Sequence, residues 1–269
     1  MELEVAGVRT YLIEAGFGAP VLFLHGVPDS ADMWQPVIQQ MQGGYHCFAP
    51  DLPGLGRSVA PDDFPLSLDA MSDFIAHLVE RAAIPTPLNL VVADFGGTYG
   101  LAWAVKHPEQ VRRIALAGSV NFFSDYRWHL NARLLRTPVI GELGMSMMNT
   151  YAGFARSMKP NAPALDDAHW RAAYALSFAR PSVRRMTMRM YRALDSKHFV
   201  GWEDQLLALT RRAPMLVLWG DRDPFISPAY ADRYAAAGGA TIEHFAEYGH
   251  WLAVEDPTLV AERLTSFFA

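Results

Sequence analysis

Leu88-Asn89-Leu90-Val91-Val92-Ala93-Asp94-Phe95-Gly96-Gly97 is the stretch whose reading decides the fold. It opens with a short apolar run and closes with a small residue, an acid and two glycines. Thr98–His107 follows at helix length. A brief apolar run bounded by turn residues reads as a strand buried on both faces. The form small-x-acid-x-Gly at its end marks a sharp strand-to-helix turn that lifts one side chain above the sheet, with small neighbours because the turn is crowded. Asp94 is the residue so lifted. An Asp at a helix start is also an ordinary N-cap, so its reading depends on what the rest of the chain places beside it.

The same alternation runs outward in both directions. Val21–Leu24, His46–Ala49, Ile114–Ala117 and Met215–Trp219 are further apolar runs ending in Gly, Pro, Asp or Ser, with Thr241–Phe245 as a last strand. Helix-length segments such as Leu68–Arg81 separate them, and Glu4–Glu14, with Gly7 near its middle, reads as an edge hairpin. The fold class expected is α/β, a mostly parallel sheet flanked by helices. The alternation stops after Ala117. Residues 123–207 carry no strand signal, only helical patches broken at Pro138, Pro160, Pro163 and Pro181. The division expected is a core of residues 1–122 and 208–269 and a helical cap, or lid, of residues 123–207. Seven of the chain's twelve methionines lie in that cap, the kind of side chain that fills adaptable apolar pockets. The cap carries twelve Lys/Arg against seven Asp/Glu, which reads first as a solvated surface.

Composition bounds the function classes. The 269 residues suit one large α/β domain with an insertion. A net charge of −5 leaves no electrostatic footprint for nucleic acid or an anionic membrane. No apolar run reaches the length of a membrane span, and the N-terminus lacks the basic-then-apolar form of a secretory signal. The single cysteine, Cys47, permits no internal disulfide. A cytoplasmic monomer or homodimer acting on a small apolar organic molecule is the expectation. Nine scattered histidines, with no His-Glu-x-x-His and no cysteine pair, give no metal site, and no cofactor is expected.

Ligands of open α/β sheets bind beyond the C-terminal ends of the strands. His25-Gly26-Val27-Pro28 stands at one such end, where Gly26 permits a turn that aims the Val27 amide at a developing oxyanion together with the Phe95 amide. Asp221 and Asp223 both follow the run Met215–Trp219, and His250 follows the last strand. The order nucleophile, acid, histidine is far more specific than any member alone. Asp51–Ser58 has the look of a phosphate loop but lacks a third glycine and a Gly-Lys-Ser/Thr, so it reads as a structural turn.

As a set, His25–Pro28, Asp51–Ser58, Asp94–Gly97, Asp221–Pro224 and Gly249–Trp251 resemble the α/β-hydrolase superfamily along nearly the whole chain. Within it they are similar to the branch of epoxide hydrolases and haloalkane dehalogenases. The resemblance implies Asp94 as nucleophile, Asp223 in preference to Asp221 as the acid, and His250 as the base. Dehalogenases of this branch hold the departing halide with a Trp directly after the nucleophile; here that residue is Phe95, and Val27 stands where one subgroup has Asn. Epoxide hydrolases use cap tyrosines, and Met190-Tyr191-Arg192-Ala193 is similar to the segment carrying one of them. Tyr151 is the candidate for the other, with Tyr126 and Tyr174 as competitors. His25, Tyr151 and Tyr191 are thus the expected substrate contacts. A carboxylate nucleophile fits sp³ carbon, because the alkyl ester it forms is open to water, whereas a serine would leave a dead-end ether. Epoxide opening leads. The rivals are a dehalogenase whose halide site uses cap residues such as Trp128 or Trp170, an esterase or lactonase, and a hydrolase-fold binding protein.

Overall fold

The computed structural model describes residues 1–236 and 240–269. The strands are β1 (Glu2–Val5), β2 (Val8–Gly16), β3 (Ala19–Leu24), β4 (Tyr45–Pro50), β5 (Leu88–Val92), β6 (Val111–Ala117), β7 (Met215–Gly220) and β8 (Ala240–Phe245). They form one sheet in the order β1-β2-β4-β3-β5-β6-β7-β8. Pairing is antiparallel at β1–β2 and β2–β4 and parallel from β4 onward. The opening hairpin runs longer than Glu4–Glu14. Its second strand continues to Gly16 because Leu12–Gly16 pair a second neighbour, β4.

Helices α1 (Gln35–Met41), α2 (Leu68–Arg81) and α3 (Asp94–Lys106) join the early strands. Helices α4 (Leu130–Arg136), α5 (Ile140–Met147), α6 (Tyr151–Met158), α7 (Asp167–Leu176), α8 (Pro181–Ala193) and α9 (Trp202–Thr210) lie between β6 and β7. Helix α10 (Ala229–Ala236) precedes β8, and α11 (Leu252–Glu255) and α12 (Pro257–Phe268) end the chain. Among the described residues, 123–207 contain no strand, and the helix ends fall near the prolines.

The strand period of two sorts the core into two layers. On β3, Val21 and Phe23 face Trp34, Met41 and Phe268 on one side, while Leu22 and Leu24 face Phe74, Leu78, Tyr99 and Trp103 on the other. Apolar material on both faces explains why the strands read as continuous runs. A third cluster, Phe154, Trp170 and Phe178 with Met145, gives the inserted helices a core of their own that touches Trp251. Helix α9, which the sequence boundary assigned mostly to the cap, buries Leu206 and Leu209 in the layer shared with α3.

The order β4-β3-β5 positions the site. The chain leaves β3 through α1 towards β4 and returns through α2 to β5 on the other side of β3, so the ends of β3 and β5 diverge into opposite helix layers and open a crevice. Register sets Leu24 opposite Val92, which brings the residues just beyond each strand together. Phe23 lies fully buried at 5.4 Å from the Trp34 ring. We expect Phe23→Ala to cost about 3–5 kcal/mol in chemical denaturation. The exposed Phe17→Ala should stay within about 0.5 kcal/mol.

Candidate active site

Asp94 opens α3 with φ at +49°, a left-handed conformation that non-glycine residues seldom adopt. The neighbours leave the turn no slack. A Cβ on Gly96 would stand 2.4 Å from the Leu24 and His25 carbonyl oxygens, and one on Gly26 would stand 2.2 Å from Asp94 Oδ1. These two glycines let the backbones of the β3 and β5 turns meet around one carboxylate. The Asp94 amide donates to the Ser119 carbonyl at 3.0 Å, tying the turn to the end of β6. Its Oδ1 accepts the Val27 N–H at 2.9 Å, and its Oδ2 stands 3.5 Å from His250 Nε2. The N-cap position of α3 is held by Ala93, and the Asp94 side chain accepts from Val27 across the crevice.

On its far side, the His250 imidazole meets Asp223, whose Oδ2 lies 2.8 Å from Nδ1. The other Asp223 oxygen accepts the Phe225 and Ile226 amides at 2.6 and 3.1 Å, which fixes the carboxylate. Asp221 is turned away and meets His244 Nδ1 at 2.6 Å. The sequence did not single out Ser119. Its hydroxyl donates to Asp223 Oδ2 and lies 2.8 Å from His250 Nδ1, so it braces the acid against the ring. A Ser two residues past the apolar run of β6 is the only signal the sequence offered.

Two expected substrate contacts are corrected. His25 is fully buried and does not line the cavity; its Nδ1 donates to the Gly26 carbonyl at 2.8 Å and Nε2 accepts the Leu52 amide at 2.9 Å. It therefore holds the turn that presents Val27. The Asp51–Ser58 turn braces it from behind, where Asp51 accepts the Ala31 and Arg57 amides at 2.6 and 2.7 Å. The Tyr151 hydroxyl is bound to Asp167, and its ring lies 4.2 Å under the Arg171 guanidinium, away from the cavity. The cation on one side and the carboxylate on the other keep it at the surface.

A cavity of about 480 Å³ opens over Asp94 and His250. Tyr191, on α8, stands edge-on to Phe95 at 5.0 Å and is half-buried, and its hydroxyl has no hydrogen-bond partner among the described residues. Burial first, and the nearby Asp94 charge second, raise its pKa well above the usual phenol value, so it stays protonated. Tyr126 also lines the cavity, but its hydroxyl donates to the Phe225 carbonyl at 3.3 Å. Trp128 lies 6.1 Å from the Phe95 ring, nearly parallel to it, with a buried indole N–H that has no partner among the described residues. Trp170 packs on Phe154 and Trp251 instead and does not reach the cavity. His129, at the start of α4, is a lining residue the sequence reading missed. Its Nδ1 accepts the Ala132 amide at 3.3 Å, and burial pulls it down to about 4, leaving Nε2–H as the free donor.

Residues 19–257 match the family described as the alpha/beta hydrolase fold. The chain belongs to that family. A 2-hydroxymuconate semialdehyde hydrolase of a Pseudomonas species is 28% identical over 280 residues, covering 100% of this chain and 93% of that protein. Among solved structures, a haloalkane dehalogenase described as ancestral superposes with a TM-score of 0.84 at 24% identity, over 99% of this chain and 97% of that one. An epoxide hydrolase, CorEH, gives a TM-score of 0.84 at 18% identity, over 100% and 97%. At these identities the structural likeness establishes the fold.

The electrostatics of this hydrolase-fold site centre on the imidazole. Burial alone would lower the His250 pKa, but the Asp223 charge and hydrogen bond, with a further part from Asp94, push it up to about 10. Asp223 responds in kind: burial opposes its charge, yet His250 and the hydrogen bonds hold it below the usual carboxylate range. The resting ring is thus an imidazolium between two carboxylates. Because its folded pKa lies above the ordinary 6.5, the stabilisation is wholly present below pH 6.5, declines above it, and is gone beyond about pH 10. The melting temperature of the wild type should therefore fall more steeply between those limits than that of His250→Gln. Parallel curves for the two proteins would contradict the assignment.

Proposed function

We propose that the protein is a cofactor-free epoxide hydrolase working through an Asp94 ester on mainly apolar substrates. The observation that carries this reading is the Tyr191 hydroxyl, protonated, unpartnered and in the same cavity as the bare Asp94 carboxylate. Asp94 Oδ1 is engaged by the Val27 amide, which leaves Oδ2 to attack an epoxide carbon. The C–O bond of the ring breaks as the ester bond forms, and the departing alkoxide takes the Tyr191 proton, with His129 Nε2–H as a second donor.

Esterification removes the Asp94 charge and its contact with His250. Two of the contributions that hold the ring protonated then vanish, and it can shed its proton to become a base. A water between His250 and the ester carbonyl carbon loses a proton to Nε2 and attacks that carbon. The oxyanion grows on Oδ1, where the Val27 amide already stands and the Phe95 amide opens the helix. Each such donor contributes about 3–4 kcal/mol in comparable sites. Collapse expels the second diol oxygen with the remaining proton of the attacking water and restores the carboxylate. The proton Nε2 took from water makes the ring an imidazolium again, and the one the ring shed earlier replaces the proton Tyr191 gave up.

A second reading has its own observation. The unpartnered Trp128 indole N–H, stacked over Phe95, could hold a departing halide. Brominated alkanes and styrene-type epoxides, assayed for bromide and for diol, separate the two; bromide without diol would reverse the ranking. For the epoxide reading, Tyr191→Phe should lower kcat/KM by about 10²-fold, the lower end of general-acid contributions. His250→Gln should accumulate a substrate-sized adduct on Asp94, seen by peptide mass spectrometry. Absence of that adduct with every epoxide tried would defeat the covalent route.

A further inference from the structure

Ten large apolar side chains are exposed among the described residues, and six of them fall in the α4–α5 hairpin: Leu130, Leu134, Val139, Ile140, Leu143 and Met147. Four of these, Leu134, Ile140, Leu143 and Met147, also line the cavity, so the patch is continuous with its mouth. Contiguous apolar surface of this kind marks an interaction site. Val139 sharpens the point. It is 77% exposed and sits at the N-cap of α5 with φ at +69° and no side-chain cap bond. The Ile140 amide donates to the Pro138 carbonyl at 2.8 Å across it, closing a γ-turn of the strained kind, in which a β-branched side chain is unfavourable. Local stability does not account for an apolar residue at this position.

The charges around the patch are one-sided. Arg136 and Glu142 are neutralised by Asp195 and Arg192. Arg133, exposed on α4, and Arg156, at the mouth on α6, have no acidic partner among the described residues. The net charge of −5 belongs to the whole chain and is screened beyond about 8 Å at physiological salt. A second copy of the chain is a poor occupant, because a two-fold interface sets each patch on itself, closing both mouths and facing like charges together.

We propose that the α4–α5 face docks on an anionic lipid surface, seating the cavity mouth at the boundary so that an apolar substrate passes from lipid to Asp94. The aliphatic side chains enter the acyl boundary while Arg133 and Arg156 meet the headgroups. The inference does not require the epoxide reading, and its test needs no turnover. Wild type and Leu130→Gln/Val139→Asn, neither position lining the cavity, are sedimented with phosphatidylcholine vesicles with and without phosphatidylglycerol, after circular dichroism confirms folding. The wild type should pellet preferentially with the anionic vesicles, and the double variant should partition about tenfold less. Arg133→Glu should remove the preference for phosphatidylglycerol. A wild type that stays in the supernatant, or one that partitions no better than the double variant, overturns the proposal. So does a dimer, seen by light scattering, that the double variant disperses.

Discussion

The rest of the site depends on one imidazole held between two carboxylates, with Asp223 at 2.8 Å on one ring nitrogen and Asp94 at 3.5 Å on the other. Burying that ring costs free energy unless its charge is met on both sides. Meeting it requires four separate strand ends to converge. The turn after β5 lifts Asp94, the end of β6 supplies Ser119, the turn after β7 fixes Asp223, and the loop after β8 carries His250. The sheet's crossing pattern makes this convergence possible, and the close approach of Gly26 and Gly96 makes it sterically affordable.

The same arrangement sets the timing of the proposed reaction. A permanently protonated imidazole cannot act as a base, and a permanently neutral one would not stabilise the ionised nucleophile. In that proposal Asp94 serves as both nucleophile and counter-ion, so forming the ester would remove one of the two charges that keep the ring protonated. The base becomes available only after the intermediate exists. The donors above the site, Tyr191, His129 and Trp128, differ in what they can serve: a phenol gives up a proton to an alkoxide, whereas an indole N–H only holds an anion.

Much of this was legible in the sequence. Strand-length apolar runs with turn residues at their ends marked the parallel sheet, because strands buried on both faces have no polar side to show. The chain order of Asp94, Asp223 and His250 pointed to a shared site, which the structure brings together. What failed was the sense of direction. His25 and Tyr151 were of suitable type but face away, His25 into the backbone of its own turn and Tyr151 towards Asp167 and Arg171. Ser119 and His129 passed unnoticed because a lone Ser or His carries no periodicity, and their meaning comes from neighbours distant in the chain. The hairpin of α4 and α5 read as ordinary helix, since exposure is a property of packing and not of composition.

The central claim is that water attacks the Asp94 ester and never the substrate itself. A single turnover of excess enzyme with an epoxide in ¹⁸O-enriched water tests it most directly, followed by mass analysis of the diol and of the peptide containing Asp94. The account predicts an unlabelled diol and one heavy oxygen in the carboxylate at position 94. A heavy oxygen in the first diol, with none in that peptide, would contradict it.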